Sequence, residues 1–153
     1  LAISIRRGLI AEVPTVAIEH VYKWNNTSII QDEVLSHRLG LIPLAIDPRK
    51  LSFKMDDEAN AQNTYLFNLK AECKKRGASK DAGIEGRYVY SSLLEWAHKG
   101  LLPETQEDSP PRPEKSEIVI AKMALGQSME MELHCEKGIG KDQAKFSPVA
   151  TAT

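Results

Sequence analysis

The stretch QSMEMELHCE, residues 127–136, alternates without a break: Met129, Met131, Leu133 and Cys135 fall on one face, and Glu130, Glu132, His134 and Glu136 on the other. Period two with one apolar face is the pattern of a half-buried β-strand. Leu125-Gly126-Gln127 reads as a turn joining it to an extended run, Ile118–Met123, which predicts an antiparallel pair. Thr15–Trp24 alternates in the same way, with Val16, Ile18, His20, Tyr22 and Trp24 on its apolar face. Tyr65, Phe67, Leu69, Ala71 and Cys73 mark another strand, and a further extended segment covers Tyr88–Trp96. Helical patterning is confined to two places. Residues 1–12 put Ile3, Arg6, Arg7 and Ile10 at three-to-four spacing before Pro14, and Gln31–Leu39 opens with Gln31, Asp32 and Glu33 and stops at Gly40 and Pro43. The fold class expected is α+β, mainly antiparallel sheet with a short helix.

Composition limits the function. Twenty Lys and Arg stand against 21 Asp and Glu, a formal charge of −1, which is no footprint of a general polyanion binder. The longest stretch without Asp, Glu, Lys or Arg, Ala59–Leu69, is far short of the roughly 20 apolar residues that span a bilayer. No membrane partner is expected. Two cysteines, Cys73 and Cys135, are too few for a disulfide scaffold or a thiolate zinc site, which points to a reducing compartment. The chain opens on Leu1 without a Met and ends at Thr153, so it reads as a fragment of something longer.

Residues 56–63, DDEANAQN, and residues 74–87, with three glycines and seven charges, read as exposed loops. Glu104–Glu117, with five acids against two bases and prolines at 110, 111 and 113, reads as a solvated, partly polyproline-II connector, mobile and open to proteases.

The constellations that could carry chemistry are weak. His134 and Cys135 are neighbours on a strand and point to opposite faces, so they cannot act as base and nucleophile. Cys135 reads as a small core residue and His20 as a satisfied core histidine. No metal-ligand spacing recurs, and no cofactor is expected. Lys137-Gly138-Ile139-Gly140-Lys141 resembles the end of a phosphate loop, but Cys135 stands where glycine is required and Asp142 where Ser or Thr is required. The two sequons in Asn25-Asn26-Thr27-Ser28 read as a polar turn. Asp32 and Glu33, adjacent on a helix, serve its amino end rather than a common site. The basic segment Lys137, Lys141, Lys145, followed by Phe146-Ser147-Pro148, reads as an exposed, partner-facing loop. Beside buried Leu39–Ile42, the fixed fork of Arg38 is expected to hold carbonyls or a carboxylate.

Three blocks make the sequence specific: Arg6-Arg7 with IAEVPTVAIEHV (Ile10–Val21), NNTSIIQDEVLSHRLGLIP (Asn25–Pro43), and KGIGKDQAKFSPVATA (Lys137–Ala152). They resemble the α-like subunits of multisubunit RNA polymerases, in particular the larger α-like subunit shared by polymerases I and III. Arg6, Arg7, Ala17, Val21, Asn26, Ser28, Asp32, Glu33, Leu35, Ser36, Arg38 and Leu39 stand in register with the family signature. The family's Asn falls at Ile3, and Gly8 replaces the apolar residue after the arginine pair. The polymerase II counterpart has a four-cysteine zinc loop where this chain has MDDEANAQN, residues 55–63.

The resemblance implies an inserted α+β domain over residues 13–147, with 1–12 the remnant of a dimerisation-domain helix and 148–153 the return into that domain. It implies a non-catalytic assembly subunit with no catalytic, cofactor or metal residues on this chain. The subunit would pair with a smaller α-like subunit to make the platform for the second-largest subunit, in the nucleus (nucleolus and nucleoplasm). Arg6, Arg7, Lys137, Lys141, Lys145 and Phe146 would face partners, and Asn26, Ser28, Asp32, Glu33 and Arg38 form the family signature. No direct sequence-specific nucleic-acid binding is implied. The competing function is an independent nucleic-acid-binding module using the Lys137–Lys145 loop, disfavoured by the absence of aromatic residues spaced among those lysines.

Overall fold

A computed structural model of the protein describes residues 1–55, 58–60, 62–75, 83–97 and 110–153. In chain order these form helix α1 (Ala2–Ala11), strand β1 (Thr15–Asn26), helix α2 (Asp32–Gly40), β2 (Leu44–Ala45), β3 (Thr64–Glu72), β4 (Lys74–Lys75), β5 (Ile84–Glu85), β6 (Tyr88–Tyr90), β7 (Leu94–Trp96), β8 (Arg112–Pro113), β9 (Val119–Lys122) and β10 (Ser128–Gly138). The fold is α+β, built on an antiparallel sheet of order β1-β10-β3-β7. Three two-stranded ribbons, β2-β8, β4-β5 and β6-β9, surround it.

The alternation in β10 holds, with Met129, Met131, Leu133 and Cys135 all buried. They pack with Phe67 and Leu69 of β3, Ile18 of β1, Leu35 and Leu39 of α2, and Val89 and Ile120 of the β6-β9 ribbon. Removing a side chain such as Leu or Phe from water stabilises the fold by about 1.5–3 kcal/mol each, so this shared cluster unites sheet, helix and ribbon. Helix α2 starts after extended Gln31, with Asp32 and Glu33 in its first turn and His37 and Arg38 in its last, each matching the sign of the helix end it occupies. Pro43 disfavours helical backbone at Ile42, whose amide closes the last turn onto the Leu39 carbonyl.

Several expectations are corrected. The β9-β10 pair does not form, because both edges of β10 are taken by β1 and β3. Gly126, at a positive φ of 83°, turns the link the other way, so that its amide and the Gln127 carbonyl bond to Cys73. The extended run Tyr88–Trp96 is broken by a 3-10 turn at Ser91–Leu93, which sends β6 to β9 and β7 to β3. Ser91 is buried there because its hydroxyl donates to the Lys115 carbonyl while its amide donates to the Ile118 carbonyl at 2.9 Å. Residues 110–117 are not free connector: Arg112–Pro113 pairs with Leu44–Ala45, and the Glu114 amide donates to the Pro43 carbonyl. The rest of that connector, 104–109, lies outside the described residues, as does 76–82 of the glycine-bearing loop whose ends pair as β4 and β5. Asp56, Asp57 and Ala61 of the polar 56–63 segment also lie outside them, while its end is turned back by Asn60 and Asn63.

The largest correction concerns β1. Its alternation fails because the pairing with β10 slips twice, between Ile18 and His20 and between Lys23 and Asn25, leaving Glu19 and Trp24 as extra residues. A bulge adds one residue to one strand and reverses the faces beyond it. His20 is therefore not a core histidine: its side chain is 49% exposed and its Nε2 lies 3.5 Å from Glu136. Tyr22 and Trp24, also assigned to the apolar face, are 52% and 74% exposed.

Candidate functional site

The signature residues gather where β1 hands over to α2. Asn26 is the hub. Its carboxamide oxygen accepts from the Ser28 amide at 3.1 Å and hydroxyl at 2.7 Å, while its nitrogen donates to the Ile30 carbonyl at 3.1 Å and Asp32 at 2.8 Å. Asp32 also receives Lys23, and hydrogen bonds from Lys23 and Asn26 hold its carboxyl below the ordinary carboxylate value. An Asn side chain can satisfy donors and acceptors of one turn together, which is why the turn needs this residue type. Glu33 is exposed beside the network. Arg38 lies at the far end of α2, where its guanidinium donates to the Val119 carbonyl at 2.9 Å, the carbonyl-holding role expected of it. These residues fix α2 against β1 and β9. They bring no nucleophile next to a base.

The carboxyl-terminal block forms a latch rather than an exposed loop. Phe146 is buried, 5% exposed, with its ring over Gly138, where an added Cβ would lie 2.6 Å from the ring. At Gly140 a Cβ would sit 2.2 Å from the Ile10 carbonyl oxygen. The two glycines thus let aromatic ring and helix end approach bare backbone, a packing role and not a phosphate cradle. The Lys141 amide donates to the Ala11 carbonyl at 2.9 Å, and Arg6 Nε to the Ala152 carbonyl at 2.6 Å, so α1 is bound at two points.

Of the lysines, Lys145 pairs with Glu19 at 2.5 Å, and Lys137 donates to the Leu51 carbonyl at 3.1 Å with its ammonium 4.8 Å from the Phe53 ring centre. Lys141 is exposed. The reading of this block as an exposed basic loop is corrected accordingly, since two of its three ammonium groups and its aromatic ring are turned inward.

Glu19, missed in the sequence, is the first bulge residue and the anchor of the latch. Its carboxylate accepts from both the Lys145 ammonium and the side-chain carboxamide nitrogen of Gln143, the latter 3.0 Å away. Burial alone raises its pKa, and the hydrogen bonds from Lys145 and Gln143 more than reverse this, leaving it below the ordinary value. Only an acid interrupting the apolar run Val16–Val21 hinted at it. On the outer face of the sheet Glu136, buried, pairs with Lys54 at 2.9 Å. Cys135 is fully buried on the opposite face, where burial pushes its thiol far above the ordinary value and keeps it inert. Among the described residues, no group of three or more His, Cys, Asp or Glu is placed to hold a metal ion, and no helix is long and apolar enough to cross a membrane.

Comparison with known proteins gives this geometry a family. Residues 16–150 match the model of the RNA polymerase Rpb3/RpoA insert domain. Over its whole length the chain is 42% identical to the DNA-directed RNA polymerases I and III subunit RPAC1 of Homo sapiens, 46% of which it covers, and to rpac1 of Dictyostelium discoideum, of which it covers 45%. It is 34% identical to DNA-directed RNA polymerases II, IV and V subunit 3 of Arabidopsis thaliana, covering 49% of that protein. The chain spans about half the length of the curated relatives it matches. It belongs to the Rpb3/RpoA insert-domain family of RNA polymerase subunits.

Proposed function

We propose that the chain is part of a non-catalytic assembly subunit of a nuclear DNA-directed RNA polymerase, of the kind named for polymerases I and III. It works in the nucleolus and nucleoplasm. The subunit pairs with a smaller α-like subunit, and the pair forms the platform on which the second-largest subunit docks. Residues 13–147 are the inserted domain, 1–12 the end of a dimerisation helix and 148–153 the return into the dimerisation domain.

The observation that carries this reading is α1 itself. Leu1, Ile5 and Leu9 recur every four residues and all are exposed, as is Ile3, yet the helix is held to the body through Arg6 and the Lys141 amide. A ten-residue helix is marginal by itself, and a fixed apolar stripe in water is the mark of a surface completed by a partner. Arg7 and Lys141, exposed beside it, together with Arg6 are the partner-facing charges, while Lys137, Lys145 and Phe146 hold the latch. Asn26, Ser28, Asp32, Glu33 and Arg38 present α2 at a fixed angle to the platform.

Co-expression of the full-length subunit with a tagged smaller α-like subunit tests this. Parent protein is recovered in a one-to-one complex, and Ile5→Asp with Leu9→Asp abolishes recovery while the circular dichroism of the purified variant stays that of the parent. Recovery unchanged by both substitutions overturns the reading.

A further inference from the structure

Arg49-Lys50-Leu51-Ser52-Phe53 sets bases three and two residues before a serine and an aromatic residue after it, an arrangement the assembly reading does not use. No other serine or threonine of the chain has bases at both positions; Ser79 has Arg76 at the first but Gly77 at the second. Kinases select substrates by charge pattern, and a cleft walled by carboxylates takes such a pair of cations.

The stretch lies at the surface. Asp47 caps a short 3-10 turn, Pro48–Lys50, by accepting from the Arg49 amide at 2.9 Å, and the chain leaves it extended at Leu51, with φ −107° and ψ 141°. From there to Met55 the backbone joins no strand. Ser52 is exposed, and its hydroxyl donates at 3.1 Å to the Gln62 carbonyl that its own amide also meets at 2.9 Å. Lys50 is exposed, and Phe53 is 44% exposed. The Arg49 side chain is 88% exposed, with its guanidinium on Asp47 at 2.8 Å; an ion pair in open water contributes little and is readily exchanged for another carboxylate. Leu51 is buried and anchors the stretch from within, so a kinase takes it when this short segment opens, a local event with no ladder to break.

The surrounding charges also suit the product. A phosphoserine brings about −1.5 to −2 of charge and three acceptor oxygens, which cations hold and acids repel. The Lys137 ammonium is bound to the Leu51 carbonyl at 3.1 Å, one residue from Ser52. The carboxylates on either side are already met, Glu136 by Lys54 at 2.9 Å and Asp47 by Arg49.

We propose that Ser52 is a phosphoacceptor site for a basic-directed serine/threonine kinase, with Arg49 and Lys50 as the residues it recognises. The Ser52 hydroxyl oxygen bonds to the γ-phosphorus of ATP as the bond from that phosphorus to the ADP oxygen breaks, and the hydroxyl proton passes to the kinase's aspartate base.

The test uses the full-length protein, magnesium ATP and the catalytic subunit of cyclic-AMP-dependent protein kinase, with phosphate located by mass spectrometry of proteolytic fragments. Phosphate is expected on the fragment containing Ser52 and is absent from that fragment in Ser52→Ala. Arg49→Ala and Lys50→Ala are each expected to slow its incorporation about tenfold, the scale of one lost charge-assisted contact of about 1.4 kcal/mol, while circular dichroism stays that of the parent. The Lys50 ammonium makes no ion pair among the described residues, so its loss reports recognition and not folding. Phosphate on Ser79 with Ser52 untouched, no phosphate at Ser52, or a Ser52 rate unchanged by both substitutions overturns the proposal. None of these readouts involves α1, so they stand or fall separately from subunit pairing.

Discussion

Replacing Gly138 by alanine tests whether the latch is a built packing device. The new Cβ would lie 2.6 Å from Cε2 of Phe146 and 2.7 Å from two further ring atoms, against the roughly 3.5–4.0 Å at which carbon atoms rest. The ring cannot easily step back. The Phe146 carbonyl is held by the Thr15 hydroxyl at 2.6 Å, and the preceding Lys145 by Glu19 at 2.5 Å. Overpacking that neighbours cannot absorb costs about 1–3 kcal/mol, and the fixed backbone on both sides places this case in the upper half, about 2–3 kcal/mol. For a chain of this size that corresponds to a fall in Tm of about 4–12 °C. Urea unfolding followed by circular dichroism should show the midpoint lowered with the slope unchanged, the sign that stability and not compactness has changed. Phe146→Leu, which removes part of the obstructing ring, costs about 1–1.5 kcal/mol alone. The double variant should be less destabilised than the sum by at least about 1 kcal/mol, because the clash requires both partners. A Gly138→Ala midpoint corresponding to less than about 0.5 kcal/mol, or strict additivity in the double variant, would refute the reasoning.

Asn26→Ala should cost about 1–3 kcal/mol, because it strips partners from Ser28, the Ile30 carbonyl and Asp32 at once; thermal melting compared with Asn26→Asp, which keeps the acceptor, measures it. Arg38→Ala should lower stability by about 1 kcal/mol, below the roughly 1.5–3 kcal/mol of a charged hydrogen bond because the side chain is exposed, and Arg38→Lys should recover it only in part. The pKa of Glu19 is lowered in the folded state, so its contribution is present above the ordinary value of 4.5 and is lost as pH falls below it through the folded value. Glu19→Gln should therefore flatten the acid limb of a stability profile below pH 4.5 relative to the parent; parallel acid limbs would count against the latch anchor.

How far the sequence could be read depended on whether local pattern and tertiary pairing agreed. Strand β10 was legible because both of its edges are paired and one face is wholly buried, so nothing competes with the alternation of Met129, Met131, Leu133 and Cys135. The short helix was legible to within a residue from its acids and Pro43. The pairing of β9 was not, since a Leu-Gly-Gln turn is compatible with a hairpin or with the crossing that occurs, and the choice is made by β1 and β3 arriving from far away in the chain. In the candidate site, Asn26, Ser28 and Asp32 were visible through their spacing and family register. The inward turn of Lys145 was hidden, because it depends on Glu19, which lies 126 residues earlier and is freed only by a bulge.

The two slips in β1 have opposite effects, and together they explain why a strand with so apolar a pattern is not simply a core strand. The first removes Glu19 from the ladder and spends its charge on Lys145 and Gln143, coupling the edge of the sheet to the block that carries Phe146 and, through Lys141, to the end of α1. The second removes Trp24 and leaves its ring, with that of Tyr22, in solvent at a polar rim. Bulges also shorten the run of regular edge that a stray strand could extend, which an unbroken twelve-residue edge would invite. A single uninterrupted β1 would bury Tyr22 and His20, lose the anchor of the latch and offer a flat edge. The irregularity is therefore what lets one strand support a fixed helix at one end and present an aromatic surface at the other.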